Sequence, residues 1–192
     1  MRYTNPNIES FYRDDDLGRI YYDIVLKYKP KKIVELGTFY GYSTVAMAMA
    51  LDELTSGKIV SYDLYEEYPY RHPTFTQTKR NIETSGVAQY IELRKKDFYA
   101  WIKDPEAFDL LYVDVSNTGE IIEKMYAAVR PQIQNGSIVI FEGGSPKRDA
   151  ADWMTTYHMK KITDAAVPYT LIYENPPSAH NPFFALSMIT NE

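Results

Sequence analysis

The sequence predicts an α/β protein, a three-layer α/β/α sandwich around a mainly parallel sheet. Three observations carry that expectation. Short apolar β runs alternate with segments of helical periodicity along most of the chain. The first strong β run enters a helix through a turn holding two glycines, Gly37 and Gly41. The last two β runs, at 169–173 and 183–189, are joined by a link too short for a helical crossover, so they should pair antiparallel. At 192 residues the chain has enough interior for one sizeable core. We therefore expect one domain over residues 1–192, with an N-terminal helical segment in 1–30.

The elements follow in order. Leu17, Ile20, Tyr21, Ile24, Val25 and Tyr28 have near-helical spacing, and Pro30 closes that helix. Residues 33–36 form the first strand, and 43–50 a helix of small residues. A turn-rich connection over 51–58 then leads to the second strand at 58–63. After a loop over 64–73, rich in tyrosine and proline, 74–85 read as a helix closed by Gly86. The third strand is expected at 89–94, a short helix at 98–102 and an apolar fourth strand at 108–113. A helix follows over 120–129, with Pro131 and Asn135-Gly136 marking the turn into a fifth strand at 137–141. Residues 148–160 fit one more helix.

Composition narrows the function. A net charge of −5 argues against non-specific nucleic-acid binding, which needs positive charge to neutralise phosphates. The absence of cysteine removes disulfides, thiolate catalysis and cysteine metal sites. No apolar run approaches membrane-spanning length, and the first residues lack an apolar leader core. The chain reads as soluble and cytoplasmic, acting on a small molecule, with no nucleic-acid or membrane partner. A homodimer is compatible with it.

The glycine turn carries the sharpest signal. Gly37 and Gly41 allow positive φ and close ligand approach, and the helix that follows directs its first N–H groups at the cavity. Ligands of open parallel sheets bind at such strand ends. Glu35 adds a negative charge there. A carboxylate two residues before the first glycine suits a cationic ligand better than a pyrophosphate, and the spacing is not G-x-G-x-x-G. Asp63 ends the second strand about twenty residues further on, where an acid can accept ribose hydroxyls.

Glu35, Gly37, Gly41 and Ser43 resemble the first motif of class I S-adenosylmethionine-dependent methyltransferases, in the acidic-x-Gly-x-x-x-Gly-x-Ser form of small-molecule O-methyltransferases. The resemblance implies a Rossmann-like sheet of order 3-2-1-4-5-7-6 with strand seven antiparallel. It also implies S-adenosylmethionine as cofactor, held by Glu35, Gly37, Thr38, Tyr40, Gly41, Ser43 and Asp63. Tyr62 and Leu64 would flank the adenosine, and Asp97 and Phe98 would meet the adenine. The implied activity is methyl transfer to a hydroxyl of a small acceptor, phenolic or sugar-like.

Asp114 ends the fourth strand and by the same resemblance faces the transferable methyl. In the metal-dependent members that aspartate binds the ion together with an Asp-Asn pair after strand five. Here that pair reads Glu142-Gly143, which departs from the pattern but leaves Asp114 and Glu142 as candidate Mg²⁺ ligands. Ser116 and Asn117 are further oxygen donors. The candidate bases are Asp114, Glu142 and His180, with His72 in the loop after strand two. His158 reads as a surface residue on a helix. In the cluster from Gly143 to Asp149, Glu142 and Ser145 read as functional, and Lys147 and Arg148 as a charged helix start. Two rival readings remain: a non-catalytic S-adenosyl ligand-binding or partner-binding module, and a nicotinamide-dependent oxidoreductase lacking the phosphate fingerprint.

Overall fold

A computed structural model describes residues 2–191. Its seven strands form one sheet of order β3-β2-β1-β4-β5-β7-β6, the order the methyltransferase resemblance implies. By contact density the chain divides into two compact units, residues 1–98 and 99–192.

The first unit begins with helix α1 (Gly18–Tyr28), which buries Tyr21, Tyr22, Ile24 and Val25. Strand β1 (Lys32–Leu36) pairs in parallel with β2 (Lys58–Asp63), and β2 with β3 (Ile91–Lys95). Helix α2 (Tyr42–Leu54) joins β1 to β2 and is buried from Tyr42 through Leu51. Ala46, Ala48 and Ala50 keep it slim enough to lie between neighbours, and it packs extensively on α1. The expected turn over 51–58 therefore begins later. Leu51 is wholly buried, and its packing carries the helix one turn further. Helix α3 (Phe75–Glu83) starts with a capping box: Thr74 accepts the Gln77 N–H while the Gln77 side chain accepts from Thr74. A short 3₁₀ turn at 88–90 delays β3 by two residues.

The second unit holds β4 (Leu110–Val113) parallel to β5 (Ile138–Glu142). Strand β7 (Ala185–Ile189) is antiparallel to both β5 and β6 (Thr170–Glu174), which is the terminal pair expected from the short link. Helix α5 (Gly119–Gln134) runs through Pro131 instead of stopping before it. Its buried stripe, Ile122, Met125, Val129 and Ile133, continues beyond the proline, so packing offsets the lost ladder bond.

The expected helix over 148–160 is replaced by two short ones, α6 (Pro146–Asp149) and α7 (Asp152–Thr156). Two local features divide it. Ser145 caps α6 and Pro146 opens it, while the Asp149 carboxylate turns to accept the N–H groups of Ile162 and Thr163. His158 lies beyond α7 in a left-handed conformation, exposed as expected but not helical. Among the described residues no helix is long and apolar enough to cross a membrane.

Candidate functional site

In the first unit the site is built on two strand ends. β1 and β2 run in register with Glu35 opposite Ser61. Alternation along β2 puts Ser61 and Asp63 on one side of the strand. Glu35 is fully buried, and its carboxylate accepts three hydroxyls: Ser43 Oγ at 2.6 Å, Thr44 Oγ1 at 2.5 Å and Ser61 Oγ at 2.5 Å. Ser43 thus meets Glu35 directly, and Thr44 and Ser61 join it. A buried carboxylate is tolerated where charge-assisted hydrogen bonds replace its water.

Asp63 is also nearly buried. Its Oδ2 accepts the N–H groups of Thr38 and Phe39, both at 2.8 Å, and thereby closes the glycine turn onto β2. Its Oδ1 accepts the N–H groups of Leu64 at 2.6 Å and Tyr65 at 3.1 Å. His72 Nε2 lies 2.9 Å from the same oxygen. Burial pushes Asp63 up, but the His72 bond and charge and the Phe39 and Tyr65 N–H groups outweigh it, holding the carboxyl below its ordinary value.

Gly37 and Gly41 have φ of 98° and 93°, a conformation that L side chains rarely adopt. Between them Phe39 has φ 50°, a strained value for an aromatic residue. The strain is held by the Phe39 N–H on Asp63 and by Thr78 Oγ1, which donates to the Phe39 carbonyl at 2.6 Å. The Phe39 ring meets Tyr40 edge-on at 4.7 Å, and His72 lies 5.1 Å away. Thr38 is buried with its hydroxyl 2.7 Å from Ser61 Oγ. No side chain caps the N-terminus of α2 at Gly41. Asp97 precedes α4 (Phe98–Trp101), and Phe98 is buried.

The second unit brings together a different set. Asp114 follows β4, half-buried, and accepts the Tyr112 hydroxyl at 3.1 Å. Glu142 ends β5, where both its oxygens lie in the fork of Arg148: Nε to Oε1 at 2.7 Å and Nη2 to Oε2 at 2.8 Å. Arg148, read from the sequence as part of a charged helix start, lies in α6 but is only 4% exposed. Both oxygens of Glu142, read from the sequence as a candidate base or metal ligand, are thus engaged by a bidentate guanidinium. Burial pushes Glu142 up to about 7, with Asp114 and Asp149 adding to the rise and Arg148 only partly offsetting it.

Asn117, considered as an oxygen donor, is fully buried as a brace. Its Nδ2 donates at 2.8 Å to the carbonyls of Val113 and Glu142, tying β4 to β5, and its Oδ1 accepts the Val115 N–H. Ser116 is exposed, with φ 62°. Ser145 acts as the α6 cap. His180 is exposed in the loop between β6 and β7. Among the described residues no group of three or more His, Asp or Glu is placed to hold a metal ion. With Glu142 engaged and no side chain at Gly143, the donor set does not fit Mg²⁺.

A family model described as a methyltransferase domain matches residues 34–142, from β1 through the end of β5. This chain belongs to the methyltransferase domain family. The domain is similar to a catechol O-methyltransferase of Niastella koreensis, 32% identical over 89 residues that make up 44% of this chain and 37% of that protein. The match thus spans well under half the length of that curated relative.

Solved structures share the fold at low identity. The O-methyltransferase TomG of Streptomyces achromogenes, involved in tomaymycin synthesis and solved with SAM, aligns with a TM-score of 0.62 and 17% identity, covering 94% of this chain and 86% of that one. An O-methyltransferase of Bacillus cereus solved with SAH gives a TM-score of 0.61 and 18% identity over 90% of this chain and 80% of the other.

Of the residues that surround the two buried acids, sequence reasoning missed Thr44, Ser61 and Arg148. Ser61 had a signal, two positions before Asp63 and therefore on the same face of β2. Arg148 had a weaker one in the paired glycines between it and Glu142.

Proposed function

We propose that residues 1–192 act as one S-adenosylmethionine-dependent methyltransferase domain that moves a methyl group to a hydroxyl of a small molecule, phenolic or sugar-like. The observation that carries the reading is the glycine turn between β1 and α2. It lies inside the family match, with two left-handed glycines and two buried carboxylates at adjacent strand ends. A cationic ligand suits that edge. The Glu35 carboxyl there accepts the neutral hydroxyls of Ser43, Thr44 and Ser61.

S-adenosylmethionine supplies a sulfonium methyl whose positive charge disappears as the methyl leaves. The protein's part is to bind, orient and exclude water. Gly37 and Gly41 permit close backbone approach, with Thr38 and Tyr40 on the turn between them, and Ser43 opens the helix that follows. Asp63 accepts the cofactor hydroxyls by exchanging its side-chain partner His72, while the backbone N–H groups keep the turn in place. Asp97 and Phe98 border the adenine. Asp114 is the carboxylate that receives the acceptor proton in this reading, supported by its half-buried position after β4 and its Tyr112 hydrogen bond, with exposed His180 as the reserve candidate. The engagement of Glu142 by Arg148 favours chemistry without a divalent ion.

Calorimetric titration with S-adenosylhomocysteine and with NAD tests the reading. Micromolar binding of the thioether alone is expected, weakened in a folded Asp63→Ala variant. Binding of NAD, or of neither ligand, would overturn it. Binding without turnover across an acceptor screen would favour a non-catalytic ligand-binding module.

A further inference from the structure

Asp63 meets more donors than a carboxylate ordinarily holds. Its two oxygens offer about four acceptor positions, and five groups already lie on them. The N–H groups of Thr38 and Phe39 are on Oδ2, and those of Leu64 and Tyr65, together with His72 Nε2, are on Oδ1. Facing a carboxylate that only accepts, Nε2 carries the hydrogen and donates it. The other donors are backbone groups of the glycine turn and of the chain leaving β2, so they cannot depart without taking those segments apart. Among the five, only His72 is a side chain. A hydroxyl arriving at Asp63 therefore has one place to take, that of the imidazole.

The loop over 64–73 is anchored at both ends and light in the middle. At its start Tyr65 is wholly buried with its ring 5.1 Å from Phe75, and Glu66 accepts the Phe75 N–H at 2.9 Å and Lys95 Nζ at 2.6 Å. At its end Pro73 is buried and Thr74 opens the capping box of α3. Between these anchors Tyr70 and Arg71 are exposed, and Pro69 and Pro73 bias Tyr68 and His72, the residues before them, toward extended backbone. The His72 side chain is 15% exposed, with its ring 5.1 Å from that of Phe39 and 5.0 Å from that of Tyr68. Phe39 is the left-handed residue of the glycine turn whose own N–H holds Asp63 Oδ2. A flat ring bonded to the acid and flanked by two aromatic side chains thus fills the position where a ribose would meet Asp63.

We propose that His72 is an internal ligand of Asp63, a latch that closes the ribose position of the cofactor site while it is empty and gives way when a nucleoside binds. The exchange rests on the methyltransferase reading and adds to it a control on affinity, because ligand binding has to overcome the closed state. Release of the imidazole frees the tip of the loop from Asp63. The ligand-bound protein then exposes a histidine that the empty protein hides. A histidine that touched the ligand directly would instead become protected.

The test needs no turnover. In the wild-type chain, acylation of each histidine by diethylpyrocarbonate is followed by mass spectrometry with and without saturating S-adenosylhomocysteine, the exposed His158 and His180 giving reference rates. His72 should react slowly in the free protein and at least about threefold faster with ligand. An unchanged or slower rate overturns the latch, and this arm requires no variant. In calorimetry, His72→Ala should bind S-adenosylhomocysteine and adenosine about two- to tenfold more tightly than wild type, the range of one exchanged hydrogen bond. Equal or weaker binding would show that the imidazole supports the site instead of occupying it. The gain should vanish with 2′,3′-dideoxyadenosine, which brings no ribose hydroxyl to Asp63; a gain that persists there would mean a loosened loop and not an exchange. Failure of the latch leaves ligand binding intact, whereas binding of neither nucleoside to either protein removes the methyltransferase reading and the latch with it.

Discussion

The ends of β1 and β5 each bury a glutamate before a glycine-containing turn, yet the two are satisfied in opposite ways. Glu35 is held by the hydroxyls of Ser43, Thr44 and Ser61, which are neutral. Glu142 is held by the guanidinium of Arg148, which cancels its charge. Hydroxyl donors stabilise a carboxylate while leaving its field in place; a guanidinium stabilises it and removes the field. The first arrangement suits an edge that must attract a cationic ligand. The second suits one that must stay ordered without drawing ions from solution. Position in the fold alone does not distinguish these acids, because what matters is the kind of donor each one meets.

The largest effect should come from breaking the charged pair. Arg148→Met leaves Glu142 buried beside Asp114 without compensation and should cost about 3–5 kcal/mol in urea unfolding at neutral pH. The double variant with Glu142→Gln should recover much of it. Glu35→Ala should cost less, about 2–3 kcal/mol, because three hydroxyls can rotate toward other acceptors where a guanidinium cannot shed its charge. If the two glutamate sites proved equally sensitive, the distinction between neutral and charged donors would lose its energetic basis.

Gly41→Ala should cost about 1–2 kcal/mol, from the left-handed backbone at φ 93°. The new Cβ would make ordinary contact with Ile82 at 3.4–3.5 Å, so the cost is conformational and not steric. The same variant should weaken S-adenosylhomocysteine binding in calorimetry beyond what its stability loss explains. Unchanged binding would separate the turn from the ligand.

The smallest effect concerns acid. The Asp63 carboxyl is held below its unfolded-state value, so its contribution is full above about pH 4 and lost as pH falls through the folded value. Asp63→Asn should therefore flatten the acid limb of the stability profile measured by thermal unfolding between about pH 2 and pH 5. An unchanged acid limb would show that the His72 and backbone partners do not favour the ionised form.

Much of the fold was legible because local signals agreed with packing. Strand β2 runs over Lys58–Asp63 as its β-branched residues suggest, Thr74 caps α3, and the short link before β7 produces the antiparallel pair. Two of the failures share one cause, tertiary packing overriding a local stop. Pro131 should end a helix, but Val129 and Ile133 carry the buried stripe across it. Leu51 extends α2 in the same way. In the site, Gly37, Gly41, Ser43 and Asp63 were legible because glycine and acid spacing reports backbone geometry. Arg148 was not, since a cation at a helix start reads as solvated. Its burial depends on Gly143, Trp153 and Ile162, which meet it or its turn from elsewhere in the second unit.

The proposed methyl transfer to an acceptor hydroxyl needs no divalent ion. The direct measurement is transfer of labelled methyl from S-adenosylmethionine to a panel of phenols and sugars, run in EDTA and again in Mg²⁺. Transfer to an acceptor hydroxyl is expected at the same rate in both. Transfer that appears only with Mg²⁺ would contradict it.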